Sequence, residues 1–112
     1  TVLQTAFDRA TGQDPFRLPP SWLDAAPSID LKGTRANFIT TLDIVGGNSG
    51  SPIVDAGGDI VGLIFDGNIH SISGSYWFDA RQNRSIGVHP DFIRTALEKV
   101  YKADGILKEL EL

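Results

Sequence analysis

The apolar and polar positions divide the chain into three stretches. In residues 1–34 only one short apolar grouping recurs at helical spacing: Val2, Leu3, Ala6 and Phe7 would share a face. That predicts a short helix within Thr1–Ala10, stopped by Gly12 and Pro15. Pro19-Pro20, Pro27 and Gly33 leave little room for long elements, so 1–34 is expected to be a loop-rich lead-in segment. The pattern changes at Arg35. Asn37–Leu42 is β-branched and aromatic and predicts a strand. After the Gly-rich stretch 46–50, Pro52–Asp55 and Ile60–Phe65 read as strands joined by a tight turn, Ala56–Asp59, making a hairpin. Ile60–Phe65 is apolar at every other position on both sides, which predicts a central strand buried on both faces with Phe65 in the core. Residues 66–83 are polar and read as a long loop, with Tyr76 and Trp77 as local anchors. A further strand is expected at 84–89, completing a β part over 35–89. In 90–112, Pro90 opens a helix. Phe92, Ile93, Ala96, Leu97, Val100 and Tyr101 form its apolar stripe, Gly105 is the expected stop, and Ile106–Leu112 a short alternating tail.

At 112 residues and 41% hydrophobic content, the chain can bury one modest core as a domain or part of one. The net charge of −4, with Lys and Arg scattered, gives no basic patch, so no nucleic-acid partner is expected. No apolar run approaches the roughly 18–20 residues that span a bilayer, and no membrane association is expected. Cysteine is absent, which removes disulfides, Cys-based zinc sites and a thiol nucleophile. Asp55, Asp59, Asp66 and Asp79 lack metal-site spacing, and neither metal nor cofactor is expected. With no initiator Met and no signal-peptide pattern, the chain is expected to be an interior or C-terminal part of something longer.

The sharpest chemical signal is Gly47-Asn48-Ser49-Gly50-Ser51-Pro52. A serine hydroxyl attacks a carbonyl only when a base takes its proton and fixed donors meet the oxyanion. In chymotrypsin-like enzymes one tight turn serves both needs: the N–H groups of the Ser and of the residue two before it converge. Here those are Ser49, as nucleophile, and Gly47. A bare Gly-x-Ser-Gly turn between strands is common. The apolar strand, turn and Gly58-x-x-Val61-Gly62-Leu63 that follow make the catalytic reading the stronger one. An α/β-hydrolase elbow is excluded, since Ser51 stands where its last Gly belongs and no long helix follows. The only histidines, His70 and His89, both come after Ser49, whereas chymotrypsin-like chains place His and Asp before the Ser on a first barrel. His89 reads as a cap or surface residue and His70 as part of the polar loop. The isolated chain is therefore expected to be inactive.

Thr41–Pro52, then Gly62-Leu63-Ile64-Phe65-Asp66-Gly67-Asn68, Arg84–Val88 and Leu107–Leu110, resemble the C-terminal end of the S46 family of dipeptidyl peptidases, over Phe38–Leu112. The resemblance implies a chain that is mainly β: the second β-barrel half of a chymotrypsin-like double barrel, with a C-terminal α-helix. It implies release of N-terminal dipeptides from peptides by a periplasmic or secreted enzyme. Ser49 would be the nucleophile, Gly47 an oxyanion donor, and Asp66 the group holding the substrate's free α-ammonium. In the family the next residue sets the P1 preference, Arg selecting acidic side chains. Gly67 at that place implies an uncharged pocket and hydrophobic P1 residues. The segment His89-Pro90-Asp91 departs from the family's aromatic-rich helix entry.

Two other readings remain at the level of sequence: a secreted endopeptidase of glutamyl-endopeptidase or trypsin-like type, and a non-catalytic binding module. Besides peptide substrates, the expected partners are the remainder of a parent chain and, for the isolated half-barrel with open strand edges, other copies of itself.

Overall fold

The structure, a computed structural model, describes residues 1–111, so Leu112, the last residue of the expected 90–112 segment, lies outside the described residues. The chain forms two compact units, one from Thr1–Ala36 together with the chain from Pro90 onward, the other from Asn37–His89.

The second unit is a four-stranded antiparallel sheet of β1 (Asn37–Thr40), β2 (Pro52–Val54), β3 (Ile60–Gly67) and β4 (Ser85–Val88), in the order β1-β4-β3-β2. The β2–β3 hairpin closes because the Asp55 carboxylate accepts the N–H groups of Gly57 (2.8 Å) and Asp59 (3.1 Å). Gly58 takes a φ of +92°, a conformation that glycine adopts without strain. Ile53 and Ile64 are buried, and two glycines make room beside them. A Cβ on Gly62 would lie 2.7 Å from the Phe38 ring, and one on Gly87 would lie 2.5 Å from Ile53 Cδ1. Ser85 is fully buried, and its hydroxyl is hydrogen-bonded to that of Thr40.

Several expectations change here. β1 ends at Thr40, and Leu42 is exposed. β3 runs on through Asp66 and Gly67, which pair with Ile86 and Ser85 instead of starting a loop. The register shifts between Ile64 and Asp66, so Phe65 is the extra residue of a β-bulge. That takes Phe65 out of the core; it is 46% exposed. β3 is an interior strand, yet only Gly62 and Ile64 are buried along it and Ile60 is exposed, so the two-sided burial read from its apolar run does not hold. The stretch 66–83 contains a 3₁₀ helix, Ile69–Ser73. Tyr76 and Trp77 anchor nothing, being 95% and 72% exposed. The far end of this stretch is tied by Asp79, whose carboxylate meets Arg81 at 2.9 and 3.0 Å and accepts the Arg81 N–H at 2.9 Å. The side-chain hydrogen bond from Arg81, then that from its backbone, hold the Asp79 carboxyl down at about 2.

The first unit is helical. It contains α1 (Gln4–Asp8), α2 (Pro20–Ala25) followed by a 3₁₀ turn (Ala26–Ser28), α3 (Pro90–Thr95) and α4 (Asp104–Glu109). Leu3 is buried, but Ala6 is exposed, so the apolar face of α1 is narrower than its spacing predicts. Pro20 opens α2 and Pro90 opens α3, both where a missing N–H costs nothing. Trp22 stacks on Phe92, with ring centroids 5.1 Å apart and planes inclined by 10°. Arg35 Nε donates to Asp91 Oδ2 at 2.7 Å. These two contacts pack the entry to α3.

α3 widens into a π-helical turn, Ala96–Val100, before Tyr101 ends it. The extra residue in the turn rotates Tyr101 off the apolar stripe, leaving it 64% exposed. The stop is Lys102 in the left-handed region (φ +53°), with the Ala103 N–H reaching back to the Leu97 carbonyl at 2.8 Å. Gly105 is therefore no stop: it lies inside α4, and the expected tail is helical through Glu109. More of the described residues lie in helical turns than in strands, so the chain is a small sheet with helices rather than mainly β.

Two outcomes are expected of the intact protein. Lys102→Gly should raise stability by about 1 kcal/mol, the relief of left-handed strain less the extra freedom of glycine when unfolded; thermal denaturation checks it. The Asp79 carboxyl is depressed from 3.8 to about 2. Its contribution is thus present above 3.8 and lost as pH falls toward 2. Trp77 fluorescence should report loosening of the 68–84 segment across that window, and Asp79→Asn should remove this pH-dependent step.

Candidate functional site

The loop between β1 and β2 is closed by its own asparagine. Asn48 Oδ1 accepts the Val45 N–H at 2.8 Å, and the Asn48 N–H returns to the Val45 carbonyl at 3.2 Å. Gly47 and Gly50 sit at φ +103° and +87°. A Cβ on either would meet nothing within 4 Å, so backbone conformation and not crowding calls for glycine there. The loop is clamped onto β3 at one residue. Gly50 N–H donates to the Ile64 carbonyl at 2.7 Å, and Ile64 N–H donates to the Ser51 carbonyl at 2.9 Å. Ser49 is held between these fixed points and is exposed. The N–H groups of Gly47 and Ser49 donate to no partner among the described residues.

The clamp sets the loop beside the end of β3. An open cleft of about 270 Å³ is lined by Ile44, Ser49, Phe65, Asp66, Gly67 and Ser71, among others. Three of the four residues singled out from sequence therefore share one cleft. The fourth, Gly47, is not in its lining, although its neighbours Gly46 and Asn48 are. Asp66 is the one charged side chain in the lining among the described residues, and its Oδ1 accepts the Gly67 N–H at 2.8 Å. An exposed carboxylate in an otherwise neutral cleft is a natural seat for a cation. The bulge at Phe65 turns that ring into the cleft wall.

Neither histidine joins Ser49 in this lining. His70 lines a separate groove with Trp77. His89 packs edge-on to Phe38, with ring centroids 5.9 Å apart. Among the described residues no three His, Cys, Asp or Glu side chains are grouped to hold a metal ion.

Sequence reasoning gave no role to Asn68, which it used only for the resemblance, or to Ser71; both hold the end of β3 in place. Asn68 Nδ2 donates to the Gln82 carbonyl (2.7 Å), and its Oδ1 accepts the Arg84 N–H (3.1 Å) and the Ser71 hydroxyl (3.0 Å). Asn68 N–H also donates to the Arg84 carbonyl (2.9 Å). The available signal was an Asn at a strand end followed by Ser three residues later, two side chains that close a turn on each other.

A family model described as Peptidase S46 matches residues 1–112, which extends the likeness through the N-terminal third. Among curated relatives, "Dipeptidyl-peptidase 7" of Porphyromonas endodontalis is 38% identical over 122 residues, covering 100% of this chain and 14% of its own length. "Asp/Glu-specific dipeptidyl-peptidase" of Shewanella putrefaciens is 38% identical over 83 residues, covering 74% of this chain and 11% of its own. The crystal structure of Porphyromonas endodontalis DPP11 in complex with the dipeptide Arg-Asp superposes with a TM-score of 0.86 at 21% identity, covering 97% of this chain and 17% of that one. The chain thus spans about one seventh of the length of the first of these relatives. From its motif loop to its helices, the chain belongs to the peptidase S46 family.

Proposed function

We propose that this chain is the C-terminal, second-barrel part of a serine dipeptidyl peptidase of chymotrypsin type that acts in the periplasm or after secretion. The observation that carries the reading is the single cleft lined by Ser49, Asp66 and Gly67. Ser49 Oγ attacks the carbonyl carbon of the second residue of a peptide, and a His–Asp pair elsewhere in the parent protein takes the proton. The oxyanion is met by the N–H groups of Gly47 and Ser49, both without partners among the described residues. The base returns the proton to the departing amine, and water then releases the dipeptide from Ser49. Asp66 pairs with the free α-ammonium and so measures two residues from the chain end. A blocked N-terminus would leave that carboxylate without its partner.

The P1 preference is not decided by the relatives, since enzymes named Asp/Glu-specific and dipeptidyl-peptidase 7 both match at 38%. What supports an uncharged P1 pocket is Gly67, which adds no charge to the cleft. The edge strands β1 and β2, carrying the exposed Ile39 and Val54, support self-association of the isolated chain.

Ser49→Ala in the full-length protein should lower kcat/KM by about a thousandfold or more while leaving the fold intact. Asp66→Asn should lower kcat/KM for peptides with a free N-terminus by roughly 10- to 100-fold, the loss of a charge-assisted contact. Cleavage of N-terminally blocked peptides by the unaltered enzyme would instead favour an endopeptidase. Among dipeptide substrates, Leu, Met or Phe at P1 should be turned over better than Asp or Glu; the reverse order would overturn the uncharged pocket.

A further inference from the structure

Gly67 lines the cleft, and a side chain there would press on a neighbour. A Cβ built there would lie 3.0 Å from Ser71 Cβ, 3.2 Å from Ser71 Oγ and 3.5 Å from the Arg84 carbonyl oxygen. The first two distances are tighter than ordinary van der Waals contact, so a side chain at 67 requires Ser71 to yield. Ser71 is poorly placed to do so. Its N–H donates to the Asn68 carbonyl at 2.9 Å, and its hydroxyl proton is shared between Asn68 Oδ1 (3.0 Å) and the Arg84 carbonyl (3.1 Å). Its carbonyl accepts the Gly74 N–H at 2.9 Å. Asn68 in turn is held by Gln82 and Arg84. Ser71 is also part of the cleft lining itself, facing the same space as Phe65 and Asp66.

From this geometry we propose that Ser71 is a specificity-determining residue: locked by Asn68 and Arg84, it crowds position 67 against any side chain, so that the cleft carries no charge besides Asp66 among the described residues. The inference rests on the reading of the cleft as the P1 pocket. Selectivity is then a property of the pair 67 and 71. A cationic side chain at 67, which would suit an acidic P1 residue, is crowded unless Ser71 gives by a few tenths of an ångström or is made smaller. Replacing Gly67 alone removes one preference without installing another.

The experiment is a double-mutant cycle in the full-length enzyme, reading kcat/KM for dipeptidyl substrates with Asp and with Leu at P1. Gly67→Arg alone should lose roughly tenfold or more on both substrates with little change in their ratio. Gly67→Arg with Ser71→Gly should recover activity and move the Asp-to-Leu ratio by about tenfold or more toward Asp. A full switch by Gly67→Arg alone overturns the proposal, as does a double variant that behaves like the single one. Thermal midpoints and fluorophosphonate labelling of Ser49 report the folded, active fraction of each protein. Should Gly67→Arg not fold, the same cycle with Gly67→Ala decides. Its KM penalty on the Leu substrate should shrink in the Ser71→Gly background, and equal penalties in both backgrounds overturn the coupling. An unaltered enzyme that releases no dipeptides sinks the functional reading and this inference together. One that does, with an additive cycle, sinks the role of Ser71 alone.

Discussion

Two hydrogen bonds at Ile64 organise the candidate site. Its carbonyl takes the Gly50 N–H and its N–H gives to the Ser51 carbonyl, so the turn carrying Ser49 is clamped to the middle of β3. Ile64 is itself buried, so this anchor is set in the core of the sheet and not at its surface. Immediately after Ile64 the strand bulges. Had the ladder continued without it, Phe65 would have kept the pleat alternation, and Asp66 and Gly67 would have changed faces. The clamp fixes where the loop lies, and the bulge fixes which side chains face it.

The far end of β3 depends on a polar network instead of apolar packing. Asn68 satisfies both ends of its amide against Gln82, Arg84 and Ser71, and so joins the strand end to the 3₁₀ turn and to the start of β4. Such a network defines position more sharply than apolar contact, because each group has few geometries in which all its partners are met. A cleft whose walls come from a turn, a bulge and a short helical turn needs that definition. None of these three is a long element that could hold its shape alone.

The helical unit shows a related trade. The π-helical turn and the left-handed Lys102 both depart from regular geometry, and the wide backbone bond from Ala103 to Leu97 closes the turn they create. The Trp22–Phe92 stack and the Arg35–Asp91 pair tie the start of α3 to residues distant in sequence. Its anchoring is thus tertiary at the start and local at the end.

The turns beside the candidate site were legible in the sequence, because turn chemistry is local: Gly47 and Gly50 announce positive φ, and Asn48 and Asp55 announce side chains that close turns on their own backbone. The strands at 37–40, 52–54, 60–65 and 85–88 were legible from β-branched and apolar runs for the same reason. Tertiary structure decided the rest. The exposure of Phe65 depends on a register shift against β4, which no pattern within β3 encodes. The end of α3 at Lys102 depends on a turn that departs from helical period, while Gly105, the residue that looked like a stop, meets nothing that would make it one. The lock on Ser71 joins residues up to thirteen positions apart, through hydrogen bonds that form only once β3 and β4 are paired. The sequence determined which chemistry the chain carries; pairing between strands determined which of those groups face one another.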